Sequence, residues 1–365
     1  MANESSAPRM GVGIIGCGNI SELYCKNLQT FDNVALVACA DVDMERAEKR
    51  AAQFGIRASS VEALLARDEI ELVVNLTVPD AHAAVSRAIL KAGKHVYSEK
   101  PLATTRKDAK KILKTAKKRN LRVGGAPDTF LGGAWQTLRK LIDDGAIGDP
   151  VAATAFMLGH GPEKWHPNPD FFYQPGAGPL FDMGPYYLTA LIHLLGPIQR
   201  VAALARASFP ERAARDGHAI PVTTPTHVAG ALEFANGALA TLVTSFDVWH
   251  SQLPRIEIYG SAGTLVAPDP NNFGGKILLR GENDAEWREL PLEFPHTENL
   301  RGLGVADMAR AIRASEHGSY EPHRCSAEMT YHVVDAMRAL LKSAEKKRHV
   351  QLKSECERPA FVEQW

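Results

Sequence analysis

The sequence predicts an α/β protein of two domains, and three observations lead there. The chain has 365 residues, more than one ordinary core accommodates. Up to about Gly125, short apolar runs alternate with segments of helical period. Beyond it, apolar–polar alternation punctuated by glycines takes over, the pattern of an antiparallel sheet with one covered face. A boundary there divides a first α/β domain, residues 1–125, from a second α/β domain, residues 126–365. No Pro/Ser-rich linker separates them.

The elements of the first domain follow in order. Val12 to Ile15 reads as a buried strand ending at Gly16, and Ile20, Leu23, Tyr24 and Leu28 recur at helical spacing. Val34 to Ala40 is a second strand, closed by Asp41. A charged helix comes next, with Ala47, Ala51 and Phe54 inward and Gly55 as its stop. Leu72 to Leu76 is a strand, His82 to Ala92 a helix stopped by Gly93, and His95 to Ser98 a strand. Thr104 or Thr105 can cap a basic helix running to about Arg119, and Leu121 to Val123 is one more strand. Strands joined by helices of this length require a parallel sheet with right-handed crossovers. The second domain should open with a helix, Ala134 to Asp143. Strands are expected near Val151–Met157, Val201–Ala207, His227–Phe234, Ala238–Phe246 and Arg255–Tyr259.

Composition narrows the function classes. Lys plus Arg and Asp plus Glu both number 42, so no net charge draws the chain to nucleic acid or to an anionic membrane. Five scattered cysteines without a C-x-x-C pair argue against a disulfide framework and suit a reducing, cytoplasmic setting. The polar N-terminal tail lacks a leader pattern, and no stretch is apolar for long enough to span a bilayer.

Chemistry gathers where strands end. Gly16-Cys17-Gly18-Asn19-Ile20-Ser21 lies between the first strand and the first helix. Gly16 permits the tight turn, and Gly18 lets a diphosphate approach the helix N-terminus opened by Asn19 and Ile20. Ser21 replaces the usual third glycine and is small enough for close packing. Asp41 stands about 20 residues further on, where a carboxylate grips the adenosine ribose hydroxyls. An acid there repels a 2′-phosphate, so NAD is expected over NADP. Thr77 and Pro79 close another strand at the same edge, beside His82, whose own reading is ordinary turn chemistry. Glu99-Lys100-Pro101 closes a third; taken alone it would be a surface ion pair before a proline.

Taken together, Gly16-x-Gly18, Asp41, Thr77-x-Pro79 and Glu99-Lys100-Pro101 resemble the Gfo/Idh/MocA oxidoreductases, the glucose–fructose oxidoreductase and inositol dehydrogenase group. The likeness extends through 143–150 (DDGAIGDP), 178–196 (resembling a central helix), 260–265 (GSAGTL) and a late helix from Ala327 to Ala344. It implies a Rossmann domain followed by an α/β domain with a large, open, mostly antiparallel sheet that commonly mediates homodimers or homotetramers. It implies a sugar, sugar derivative, glycoside or inositol as substrate. Lys100 would reach the reacting hydroxyl, and Glu99 would lie beside the nicotinamide ribose. It allows a cis Lys100–Pro101 bond.

The family pattern D-x-G-x-H-x-x-D is met at Asp182 and Gly184, but Tyr186 stands where the histidine is expected and Thr189 where the second acid often is. Two proton acceptors remain for hydride removal from a carbinol: Lys100, and Tyr186 if the lysine's charge lowers the phenol's pKa. Lys100 is preferred, with Tyr186 bonding the same hydroxyl and Asp182 a neighbouring one. Tyr187 reads as core. The long loop HGPEKWHPNPDFFYQPGAGP carries Trp165 and His166, expected to contact substrate, with a loop tucked down by its aromatics as the equal alternative. Its histidines lack metal-ligand spacing, so no metal is expected. Asp128 is expected at a cleft. Two other activities fit the same pattern. One is transient oxidation by bound NAD with bond cleavage elsewhere in the sugar; the other is non-catalytic NAD binding in a regulatory protein.

Overall fold

The computed structural model describes residues 8–362, so the polar tail before Pro8 lies outside the described residues. The chain forms two compact units. The first holds residues up to 103, 107–128 and 300–330. The second holds 104–106, 129–299 and the chain from 331 onward.

The first unit alternates as its sequence pattern requires: β1 (Met10–Ile15), α1 (Asn19–Leu28), β2 (Val34–Ala40), α2 (Met44–Phe54), β3 (Arg57–Ser59), α3 (Val61–Leu65), β4 (Leu72–Asn75), α4 (Pro79–Lys91), β5 (His95–Ser98), α5 (Arg106–Arg119) and β6 (Val123–Gly125). The strands form one parallel sheet in the order β3-β2-β1-β4-β5-β6. β1 is buried along its whole length, as is β4. Both faces of such a sheet are covered, which is why these strands read as unbroken apolar runs. Helix ends follow local chemistry. Asp43 accepts the Glu45 N–H at 3.1 Å to cap α2, and Gly55, at φ +65°, closes it in the left-handed conformation.

The second unit begins with α6 (Gly133–Asp143) and β7 (Pro150–Leu158). Where the sequence suggested one helix over 178–196, two are found: α7 (Gly178–Asp182) and α8 (Gly184–Leu195). Pro185 lies in the first turn of α8 and has no N–H to continue a preceding helix, so the break falls at Met183. There follow β8 (Ile198–Arg206), a hairpin of β9 (Glu211–Ala213) and β10 (Ala219–Pro221), then β11 (His227–Phe234), β12 (Leu239–Ser245), β13 (Ile256–Gly260), β14 (Gly263–Ala267), β15 (Ile277–Gly281) and β16 (Arg288–Leu290). The chain then returns to the first unit with α9 (Leu303–Glu316), a segment that a single boundary at residue 125 places in the second domain. It ends with α10 (Ala327–Lys346) and β17 (Val350–Gln351).

Nine strands of the second unit form one sheet, β16-β15-β14-β13-β7-β12-β11-β8-β17. Every neighbouring pair is antiparallel except β7 with β12. Alternate residues of β11 and β12 are buried, so one face is covered and the other open, with Leu204 and Leu239 exposed. No helix among the described residues is long and apolar enough to cross a membrane.

Candidate functional site

The first unit gathers its chemically distinctive residues at the carboxyl ends of its strands, where open α/β sheets bind ligands. Gly16 follows β1 at φ +103°, and a Cβ there would lie 2.6 Å from the Leu76 carbonyl carbon and oxygen, so only glycine fits the turn. Gly18 is the opposite case. It is exposed, and a Cβ built on it meets nothing within 4 Å. It is also the N-cap of α1, where no side chain caps the helix. Open space before uncapped N–H groups, with Asn19 exposed and Ile20 half-buried beside it, is a cradle that a diphosphate fits. Ser21 is fully buried and donates to the Gly18 carbonyl at 2.6 Å, filling the place of the third glycine.

Asp41 is half-buried at the end of β2. Its Oδ2 accepts the Cys17 N–H at 2.7 Å and its Oδ1 the Asp43 N–H at 2.9 Å. The carboxylate therefore braces the glycine turn from the neighbouring strand. Each oxygen keeps further lone pairs for a ribose diol.

Thr77 lies between β4 and α4, and Pro79 is the first residue of α4; both are half-buried. Buried Asn75 organises this bend: its Oδ1 accepts from Thr77 Oγ1 at 2.7 Å, and its Nδ2 donates to the His82 carbonyl and to Ser86 Oγ, each at 3.0 Å. Glu99 and Lys100 leave β5, with Glu99 buried and Lys100 half-buried. The Lys100–Pro101 bond is cis, as is Ala126–Pro127. Tyr24 on α1 donates its hydroxyl to Glu99 Oε1 at 2.9 Å, and the Lys100 N–H donates to Glu99 Oε2 at 2.9 Å. Burial and the Glu99 charge hold the Tyr24 phenol well above the ordinary range, so it remains a donor.

His82 differs from its sequence reading. It is 1% exposed, and its two ring nitrogens lie 2.7 Å from the Pro101 carbonyl and 2.8 Å from the Thr77 carbonyl. Asp128 differs too. It is 1% exposed, and its Oδ2 accepts the N–H groups of Gly302 at 2.8 Å and Gly304 at 3.0 Å, at the start of α9. The sequence carries no signal for the roles of Tyr24 and Asp128, whose partners lie 75 and 174 residues away.

In the second unit, Asp182 ends α7, and Tyr186 lies in the first turn of α8. Asp182 is half-buried and Tyr186 buried. Tyr187 is fully buried. The loop after β7 is tied down by charge. Arg212 on β9 is buried with Asp247 and Glu163 as its ion-pair partners, and Tyr173 donates its hydroxyl to Glu163. From this loop Trp165 projects, 70% exposed, while His166 packs edge-on against Trp165, Phe171 and Phe172. Among the described residues no group of three or more His, Cys, Asp or Glu side chains is placed to hold a metal ion.

Comparison with known proteins agrees with this geometry. Residues 10–125 match the oxidoreductase family with an NAD-binding Rossmann fold, and residues 135–266 match the GFO/IDH/MocA C-terminal domain. The dTDP-3,4-didehydro-2,6-dideoxy-alpha-D-glucose 3-reductase of Streptomyces antibioticus is 32% identical over 322 residues, covering 85% of this chain and 92% of its own. The myo-inositol 2-dehydrogenase of Thermotoga maritima is 24% identical over 352 residues, covering 94% and 98%. In fold, the chain is similar to the crystal structure of an NAD binding oxidoreductase from Klebsiella pneumoniae, with a TM-score of 0.82 at 22% identity and coverage of 95% and 100%. The glycine turn, the bracing aspartate and two matched domains place this chain in the Gfo/Idh/MocA family of NAD-dependent oxidoreductases.

Proposed function

We propose that the protein transfers hydride between nicotinamide and a hydroxyl-bearing carbon of a sugar, sugar derivative, glycoside or inositol. One observation carries this reading: the open cradle at Gly18, braced by Asp41 and set on the same strand edge as Lys100. The relatives reported above are named for a diketo nucleotide sugar and for myo-inositol, six-membered rings whose carbonyl or hydroxyl carbons exchange hydride with nicotinamide.

When bound, NAD supplies the hydride acceptor. The chain must then orient the carbinol and take the hydroxyl proton. Lys100 is assigned that proton, because it follows a strand end at the cofactor edge and its backbone is fixed by Glu99. Tyr186 is assigned a hydrogen bond to the same hydroxyl and Asp182 one to a neighbouring hydroxyl. Trp165 and His166 are assigned to the substrate's outer part, where a largely exposed indole offers an apolar face. Asp41 favours NAD over NADP. The cofactor contacts are assigned to Gly16, Gly18, Asn19, Ile20, Asp41, Thr77, Pro79, Glu99 and Lys100.

A panel of monosaccharides, inositols and glycosides, each with NAD and NADP and followed by nicotinamide absorbance, tests the reading. At least one polyol should yield NADH in stoichiometric amount, and Lys100→Met should lower kcat by about a hundredfold or more. Near-full turnover in that variant would remove Lys100 from the proton step.

We further assign a homodimer or homotetramer to the open face of the nine-stranded sheet, on the exposure of Leu204 and Leu239 there. Light scattering should show more than one chain per particle, and Leu204→Glu should reduce that number. A wild-type monomer would contradict the assignment. A reducing, cytoplasmic setting suits Cys17, Cys25, Cys39 and Cys325, which are buried as free thiols.

A further inference from the structure

His82 joins two loops that the chemistry above uses separately. It lies in the first turn of α4, three residues past Pro79, and it is almost fully buried. One ring nitrogen, Nε2, faces the Thr77 carbonyl at 2.8 Å; the other, Nδ1, faces the Pro101 carbonyl at 2.7 Å. Both partners are pure acceptors. A neutral imidazole has one N–H, so it can make only one of these bonds, and the other contact would set a nitrogen lone pair against a carbonyl lone pair. A ring with two protons makes both.

We propose that His82 is a positioning residue for Lys100. Its ring is a strut between the bend carrying Thr77 and the bend carrying Lys100, two-point when doubly protonated and one-point when neutral. The inference rests on the assignment of Lys100 to the proton step.

The surroundings fit a proton-linked strut. Two charged groups face the ring from the loop after β5, Glu99 favouring the second proton and Lys100 opposing it. From the end of β4 the neighbours are Asn75 and Thr77, which do not titrate, and Asn75 holds the His82 carbonyl so that α4 cannot slide. Burial presses the ring's pKa below the ordinary histidine value, while the two carbonyls pull it back up. The strut is therefore complete on the acid side and reduced to one bond above it. Asn75 Nδ2, Thr77 Oγ1 and Glu99 N–H all bond around the same corner, so a shift of the Pro101 carbonyl is transmitted to Lys100 rather than absorbed.

Two measurements test this. In protein labelled with ¹⁵N-histidine, the resonances missing from His82→Gln identify the ring. The strut predicts two slowly exchanging ring N–H protons at the acid end of a series run from about pH 8 down to the acid limit of folding, and one at the other end. Ring protons in fast exchange throughout would overturn it, and this readout needs no substrate. In turnover, His82→Gln should lower kcat by about tenfold or more and weaken NADH by a clearly smaller factor, because Thr77 and Glu99 shift while Gly16, Gly18 and Asp41 are untouched. An unchanged kcat, or NADH affinity lost in step with kcat, would also overturn it. Should Lys100→Met keep its turnover, the reading beneath the inference fails; a loose His82 ring removes the inference alone.

Discussion

At the residue scale the two glycines of the turn make opposite demands, and a pair of substitutions separates them. A Cβ at Gly16 collides with the backbone of Leu76 and Thr77 at 2.6 to 2.8 Å, and φ is +103°. Gly16→Ala should cost about 2–4 kcal/mol of unfolding free energy, measured in urea. Gly18→Val meets only open space, so stability should change by less than about 1 kcal/mol, yet NADH affinity should fall by about tenfold or more. Equal effects on stability would contradict the division of labour. The placement of Gly16, Gly18, Asp41, Thr77, Glu99 and Lys100 at a turn or just past a strand end was legible in the sequence because each requirement is local. His82, Tyr24 and Asp128 were not, since their meaning depends on partners that only the fold supplies. Tyr24 and Glu99 are 75 residues apart, and Asp128 and Gly302 are 174 apart.

At the scale of elements, α9 shows how a helix start is stabilised from elsewhere. Gly302, its N-cap, has no side chain to offer, and Asp128 accepts from its first N–H groups instead. Burial raises the Asp128 carboxyl from 3.8 to about 6, although the two N–H groups and Arg301 pull it down. A raised carboxyl is protonated in the folded state before it is in the unfolded one. Its contribution is full below about pH 4 and is lost as pH rises through about 6. Relative to Asp128→Asn, the wild type should thus lose up to roughly 3 kcal/mol between pH 4 and pH 7 in urea unfolding. A pH-independent difference would contradict the buried charge. Most elements of the first unit were readable from periodicity, as were β7, β8, β11, β12 and β13. The unread ones have physical reasons. α9 carries Leu303, Met308 and Ile312, but nothing local tells it to return to the first unit, where Met308 meets Gly124. β9, β10 and β16 are three residues each, too short for alternation to register. The split of 178–196 was hidden because apolar residues continue through it, and only Pro185 marks the break.

For the whole molecule, a zero formal charge leaves recognition to local geometry rather than to long-range attraction. The first unit contributes a parallel sheet whose strand ends converge on the glycine turn, and the second contributes a broad sheet with one open face. Substrate identity was the least legible property, since it depends on hydroxyl-by-hydroxyl placement that no motif encodes. The cofactor was the most legible, because turn, helix start and acid obey one spacing. Everything functional depends on that cofactor, and fluorescence titration with NADH and NADPH of the wild type and Asp41→Ala tests it most directly. The account predicts that the wild type binds NADH at least about tenfold more tightly than NADPH, and that Asp41→Ala erases the preference mainly by weakening NADH. A wild type that binds neither nucleotide, or an Asp41→Ala variant with NADH affinity and preference intact, would contradict it.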